Sequence, residues 1–168
     1  MFAGLPGTGK TTLARALADG FGATYLRIDT IEQAVRQAGL ASDDIGPVGY
    51  MIAYALAREN LRQRGRIVVA DAVNPIKPTR DAWRAIAAAT GCPLLEIEVI
   101  CSDRDEHRRR IETRPAEGDG LPQVTWQRVI DRDDEPWDRP HLVLDTAKLG
   151  PTQALDEIGR WIDGMRTA

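Results

Sequence analysis

Short runs of consecutive apolar residues alternate along this chain with longer stretches in which apolar positions recur every three or four residues. Such runs read as strands covered on both faces of a parallel sheet, and the amphipathic stretches read as the helices that cover them. The pattern predicts strands over Tyr25 to Ile28, Ile67 to Ala70, Leu94 to Ile100 and His141 to Leu144. It predicts helices over Thr30 to Ala38, Val48 to Arg64, Thr79 to Ala89, Arg104 to Arg114, Thr125 to Arg132 and Gln153 to Met165, several closed by a glycine such as Gly39, Gly65 or Gly91. The alternation gives a doubly wound α/β layout. At 168 residues the chain is expected to form one domain spanning 1–168. Leu40 to Pro47, Asn74 to Pro78 and Pro115 to Gln123 carry no period, and the last lies in a segment, 102–140, where a lid is expected.

The segment Gly4-Leu5-Pro6-Gly7-Thr8-Gly9-Lys10-Thr11 changes the picture most. It fits G-x-x-x-x-G-K-[ST], whose fixed positions chance supplies in on the order of 1% of chains this long. Such a loop bends its backbone around phosphate oxygens, and glycine permits the positive φ and the close approach that this requires. Those residues, with Thr12, form the candidate nucleotide-binding set. Lys10 is expected to project from a solvent-filled loop and reach the β and γ phosphates as a point charge, while the Thr11 hydroxyl ligates the Mg²⁺ that bridges them. Thr12 to Ala18 is rich in helix formers, so the loop opens onto a helix whose positive end faces the phosphates. An ordinary glycine-rich turn needs neither the lysine nor the threonine. Only Met1-Phe2-Ala3 precede the loop, where a strand of about five or six residues is usual, so the first strand is expected to be curtailed.

Composition then removes alternatives. Cys92 and Cys101 lie too far apart for a C-x-x-C metal or redox motif and imply no disulfide framework. The N-terminus is itself the candidate nucleotide loop, without a basic leader, and no apolar run approaches the roughly 18 residues of a membrane helix. A cytoplasmic setting is expected. The net charge of −3 offers no global attraction to nucleic acid or anionic lipid, so a polyanion would have to be held locally. The oligomeric state is not legible.

In open α/β sheets ligands gather at the carboxyl ends of the strands. Asp29 stands there, before a helix, where a carboxylate can take a proton from an acceptor hydroxyl. Asp29-Thr30-Ile31-Glu32 also reads as an N-cap with a glutamate at the third helical position, which would occupy the same side chain. Asp71 ends Ile67-Val68-Val69-Ala70 and fits a Walker-B carboxylate that holds Mg²⁺ directly or through water, or else a strand-end turn. Its neighbour Ala72 lacks the second carboxylate a hydrolytic motor would use to activate water, which favours transfer to a bound acceptor. Asn74 reads either as an amide donor to the acceptor or as a plain turn residue. Arg110 and Arg114, four apart, can place charge on a migrating phosphoryl group, although Glu106 four residues before Arg110 also explains that arginine as a helical ion pair. Arg128 and Arg132 repeat the spacing.

On these residues the chain resembles the small P-loop kinases that include polynucleotide 5'-kinase domains, chloramphenicol phosphotransferase and zeta-toxin-like kinases, a group within the P-loop NTPase superfamily also described as AAA-type ATP-binding domains. The anchors are Gly4 to Thr11, Asp29 in Arg27-Ile28-Asp29-Thr30, Asp71-Ala72-Val73-Asn74-Pro75, and Arg110 with Arg114; Thr125-Trp126, Arg132, Glu135-Pro136-Trp137 and Asp145-Thr146 are similar to lid and base-loop segments of the group. The resemblance implies a three-layer sandwich around a five-stranded parallel sheet in order 2-3-1-4-5, ATP with Mg²⁺, Asp29 as the base, and lid arginines on the phosphates. The chain departs from polynucleotide kinases at Glu32, where those enzymes carry an arginine that grips nucleic-acid phosphate. Nucleic acid is thereby disfavoured. Chloramphenicol phosphotransferases line their acceptor pocket with apolar residues; Tyr50, Met51 and Tyr54 can do likewise or can face the core. Trp83, Trp126, Trp137 and Trp161 read as packing residues. The expected activity is ATP-dependent transfer of phosphate to the hydroxyl of a small acceptor, with a polynucleotide or nucleotide kinase, or a nucleotide switch or slow ATPase without acceptor, as the alternatives.

Overall fold

A computed structural model describes residues 1–40, 45–114 and 124–167. Its strands are β1 Phe2–Ala3, β2 Thr24–Arg27, β3 Val68–Asp71, β4 Ile97–Ile100 and β5 Leu142–Asp145. All pair in parallel, in the order β2-β3-β1-β4-β5. Parallel neighbours need long crossovers, and helices supply them. These are α1 Lys10–Phe21, α2 Ile28–Gln37, α3 Val48–Leu61, α4 Lys77–Thr90, α5 Arg104–Thr113, α6 Trp126–Ile130 and α7 Pro151–Thr167.

Alternation along the strands divides the core into two layers. Phe2, Val69, Ile97, Val99, Leu142 and Leu144 face α1 and α7, meeting Leu13, Ala14, Ala18, Ala154 and Ile158. Ala3, Leu26 and Ala70 face the other way, against Ala53, Ala57, Trp83 and Ile86 of α3 and α4. The three-layer sandwich and the strand order match the resemblance drawn from the motifs.

Several boundaries differ from the periodic pattern. The β4 ladder begins at Ile97 rather than Leu94, because its pairing with β1 is confined to Phe2↔Ile97 and Ala3↔Glu98. Helix α2 begins at Ile28, two residues before the expected start, so Ile28 ends no strand and is buried as the first helical residue. Helix α4 begins at Lys77 and takes Pro78 into its first turn, where a missing N–H costs no hydrogen bond. Helix α6 stops at Ile130, leaving Arg132 beyond it. Pro115 to Gln123 lies outside the described residues.

A two-residue β1 has little ladder of its own, and Asn74 compensates. Its side chain is buried, donating Nδ2 to the Phe2 carbonyl at 2.7 Å and accepting from Trp83 Nε1 at 3.0 Å. The Asn74 amide donates to the Tyr50 hydroxyl at 3.0 Å, and Gly4 N, just past the strand, donates to Val73 O at 3.0 Å. Asn74 is therefore neither an acceptor-pocket donor nor a plain turn residue. It is a bracket between the central strand, α3 and α4, and it holds a left-handed φ of 48°, which asparagine tolerates better than most residues.

The far end of the expected lid is tied to the body. Arg80, buried on α4, donates to Glu135 O at 3.0 Å and Pro136 O at 3.2 Å, with its guanidinium 4.6 Å from the Trp137 ring. Arg139 grips Glu96 with both ends of its fork, at 2.9 and 2.6 Å, and reaches Asp81 at 2.7 Å.

Asn74→Ala strands the Trp83 N–H and the Phe2 carbonyl and is expected to cost about 2–4 kcal/mol in chemical denaturation. Asn74→Gly relieves the left-handed backbone but makes no side-chain bond, so it should recover only about 1 kcal/mol of that loss. A full recovery in the glycine variant would assign the cost to backbone strain instead.

Candidate active site

The loop from Gly4 to Gly9 runs from the end of β1 into α1, and its shape is set by contacts from outside. A Cβ on Gly4 would lie 2.2 Å from Val99 O, so only glycine lets the chain pass the end of β4. A Cβ on Gly7 would lie 2.6 Å from Ile111 Cδ1 of α5. Both residues, with Gly9, hold positive φ (133°, 82° and 94°). Gly9 is also the N-cap of α1, with no side-chain cap and no acid in the first turn, so the positive end of the helix opens directly onto the loop. The result is a glycine-shaped cradle of the kind phosphate oxygens require, with Lys10, Thr11 and Thr12 in the first turn of α1.

Lys10 does not project into solvent. Only 7% of it is exposed, and burial lowers the pKa of its ammonium, against the pull of Asp71 and then Asp29, while Arg114 and Arg27 push the same way as burial. Asp29, Asp71 and Arg114, one each from the predicted base, metal and lid sets, thus act on one lysine from the start of α2, the end of β3 and the end of α5. Asp71 is buried, accepts from the Tyr25 hydroxyl at 2.7 Å and lies 3.8 Å from Arg27 Nε. Asp29 sits in the first turn of α2, half exposed, with Oδ2 3.1 Å from Arg27 NH2. The N-cap of that helix is Arg27 and has no side-chain cap, so the capping reading of Asp29 does not hold.

Glu32 lies one turn further along α2. Its side chain passes so close to α3 that a Cβ on Gly49 would meet Glu32 Cγ at 2.5 Å. Burial raises the pKa of its carboxyl and the Asp29 charge adds to this, with Arg36 and Arg132 opposing. The Tyr50 hydroxyl near it is pushed up to about 12, chiefly by burial. The aromatic stripe of α3 divides: Tyr54 donates to Thr79 O at 3.1 Å and packs edge-on against Trp83, Tyr50 faces the charged cluster, and Met51 is exposed.

On the other side of the loop a cleft of about 270 Å³ is lined by Gly9, Thr12, Leu13, Arg110, Leu149 and Ala154, among others. Arg110 is engaged there on two sides. Its Nε donates to Glu106 at 2.8 Å, the helical pair legible in the sequence, and its other nitrogens donate to Thr146 Oγ1 at 2.7 Å and Thr146 O at 3.1 Å. Of the two predicted lid arginines, Arg114, at the C-cap of α5, is the one near enough to Lys10 to act on its charge.

Tyr25 and His107 had no reading as site residues in the sequence, because nothing local marks them, and Arg27 and Thr146 stood there only as parts of the segments that carry the resemblance. His107 is buried on α5 with Nε2 2.7 Å from Pro6 O, and Thr146 Oγ1 lies 2.8 Å from Thr8 O. Both act across more than a hundred residues of sequence.

The sequence model of a family described as an AAA domain matches residues 1–136. The chain belongs to that family. A relative of this AAA-domain chain from Aeropyrum pernix, described as a probable adenylyl-sulfate kinase, is 33% identical over 152 residues, covering 85% of this chain and 80% of its own. The crystal structure of Chaetomium thermophilum Kti12 in complex with ADP-AlF3 is 25% identical, with a TM-score of 0.67 over 95% of this chain and 96% of its own. The Mycobacterium tuberculosis APS kinase CysC, in complex with AMPPNP and APS, has a TM-score of 0.65 at 19% identity over 96% of this chain and 95% of its own, a likeness of fold. The resemblance to small P-loop kinases is thus carried by the whole AAA-domain chain and not by its loop alone. Among the described residues no helix is long and apolar enough to cross a membrane, and no group of three or more His, Cys, Asp or Glu side chains could hold a metal by itself. The hydroxyl of Thr11 and the carboxylate of Asp71 fit a Mg²⁺ that comes with nucleotide phosphate, because that ion keeps waters and needs few protein ligands.

Since the buried Lys10 ammonium is held at a cost, Lys10→Met should stabilise the nucleotide-free protein by roughly 1 kcal/mol, about 2–4 °C in Tm for a chain of this size. The cost persists while Lys10 is charged and fades as pH rises through its lowered pKa toward the ordinary 10.5. The same variant should lose the thermal shift on adding ATP and Mg²⁺. A lower Tm with an intact ATP shift would overturn this account of Lys10.

Proposed function

We propose that this AAA-domain chain is an ATP-dependent kinase that moves the γ-phosphate to a hydroxyl of a small, unphosphorylated acceptor. The observation that carries the reading is the placement of Asp29: a carboxylate not used as a cap, at the head of a helix, whose charge acts on the loop lysine. In this reading Asp29 takes the proton from the acceptor hydroxyl as the acceptor oxygen bonds to the γ phosphorus. The bond from that phosphorus to the bridging oxygen breaks, and ADP leaves. Lys10 and the loop amides of Gly7, Gly9, Lys10 and Thr11 stabilise the charge on the phosphate oxygens, Thr12 meets the inner phosphate, and Arg114 bears on the migrating group. The cleft beside Arg110 and Leu149 takes the base of the nucleotide. Mg²⁺, held by Thr11 and Asp71, would neutralise the phosphates. The segment 102–140 acts as the lid, held at one end by the contacts of α5 with Pro6 and Thr146 and at the other by those of Arg80 and Arg139.

Glu32 bears on the acceptor side. A half-buried carboxylate kept close to Asp29 opposes an acceptor carrying phosphate or sulfate near that end, and nothing in the net charge compensates. The same carboxylate can accept hydrogen bonds from the hydroxyl groups of an uncharged acceptor. A second reading, transfer to the hydroxyl of an anionic nucleotide, is favoured by the 33% identity to the probable adenylyl-sulfate kinase.

An ADP-release assay over sugars, nucleosides, aminoglycoside-like polyols, adenylyl sulfate and RNA 5'-hydroxyl ends separates the two. Turnover is expected with neutral or cationic polyols; turnover with adenylyl sulfate alone would install the second reading. With the working acceptor, Asp29→Asn should cut turnover by roughly 10² to 10⁴ while ADP affinity and Tm stay as in the wild type. Unchanged turnover removes Asp29 from the base role.

A further inference from the structure

A phosphate loop works only if its amides face inward, and a loop rich in glycine fixes that direction only in part by itself: within it the Thr8 hydroxyl donates to Leu5 O at 2.9 Å. In a trans peptide the C=O and the following N–H point opposite ways, so holding a carbonyl from outside turns the next amide inside. Two carbonyls of this loop are held in that manner. Pro6 O is 2.7 Å from His107 Nε2, which must carry the proton because a carbonyl only accepts, and the amide that follows belongs to Gly7. Thr8 O is 2.8 Å from Thr146 Oγ1, and the amide that follows belongs to Gly9.

The second contact is itself directed. A hydroxyl has one proton, and Arg110 NH1 donates to Thr146 Oγ1 at 2.7 Å, so that oxygen spends its proton on a carbonyl. Thr8 O at 2.8 Å is a shorter partner than Ile100 O at 3.2 Å. The first contact is braced as well: the His107 ring is buried and meets Trp126 edge to face at 5.2 Å, and the approach of α5 to Gly7 leaves no room for a Cβ.

We infer that His107, and Thr146 as set by Arg110, are positioning residues that aim the Gly7 and Gly9 amides into the cradle by holding the Pro6 and Thr8 carbonyls outside it. This rests on the reading of the loop as a nucleotide-phosphate site. It gives Arg110 a task before any nucleotide arrives. It also separates two properties of one ligand: the His107 contact bears on phosphate and not on the base, whereas Thr146 also lines the cleft assigned to the base.

The test measures affinities for ADP and for adenosine, which share base and ribose but not phosphate, by calorimetry on wild type, His107→Phe, His107→Gln and Thr146→Val. His107→Phe keeps an aromatic ring against Trp126 and removes the donor; ADP binding is expected to weaken about tenfold, with adenosine binding changed less than about twofold. His107→Gln retains an N–H donor and should recover most of the ADP affinity. Thr146→Val should shift the ratio of ADP to adenosine affinity in the same direction, and it decides the matter if His107→Phe does not fold. Equal weakening of both ligands, or none, in these variants would overturn the positioning role while leaving the nucleotide site in place. A wild-type protein that binds neither ligand would overturn the site and the inference together.

Discussion

An ammonium group with less than a tenth of its surface in water needs negative charge close by, and the carboxyl edge of this sheet supplies it from two strands. Asp71 comes from the end of β3, and Asp29 from the first turn of the helix that follows β2. The register that aligns Arg27 with Asp71 across the β2–β3 ladder brings those groups to one level. Arg27, also buried, then shares both carboxylates with Lys10. A small cluster of alternating charge results, and each member depends on the position of the others.

The central strand shows the same interdependence in uncharged form. With two residues in β1, the loop cannot take its position from a long ladder. Its position comes instead from the carbonyls and amides around it: Asn74 Nδ2 on Phe2 O, Val73 O on Gly4 N, and Val99 O pressed against the face of Gly4. Each of these contacts joins segments that are distant in sequence. The loop is flexible by composition and fixed by its surroundings.

Function and stability divide along the same line. Two residues near the proposed chemistry, Lys10 and Glu32, are held in conditions that charged groups do not favour, by burial and, for Glu32, also by the nearness of like charge. The residues one step away, Asn74, Arg139 and His107, make hydrogen bonds that fix the central strand, the segment around Arg139 and the loop carbonyl of Pro6. Buried charge of this kind is tolerated because rigid elements on both sides over-determine it.

By itself the sequence determined the fold class, the seven helices and four longer strands to within a few residues, and the loop with its lysine and threonine. Those features follow from local rules, apolar period and glycine spacing, that need no knowledge of distant partners. Asp29 and Asp71 were legible as strand-end carboxylates, but whether Asp29 capped its helix was not, since both readings use the same tetrad. The tertiary structure alone decided that Lys10 is buried, that Asn74 brackets β1, that Arg110 is bound to Thr146, and that His107 reaches Pro6. The reason is physical: burial, pKa and the direction of a peptide group are set by whatever packs against a residue, and the partners of Asn74, Arg110 and His107 lie 72, 36 and 101 positions away along the chain.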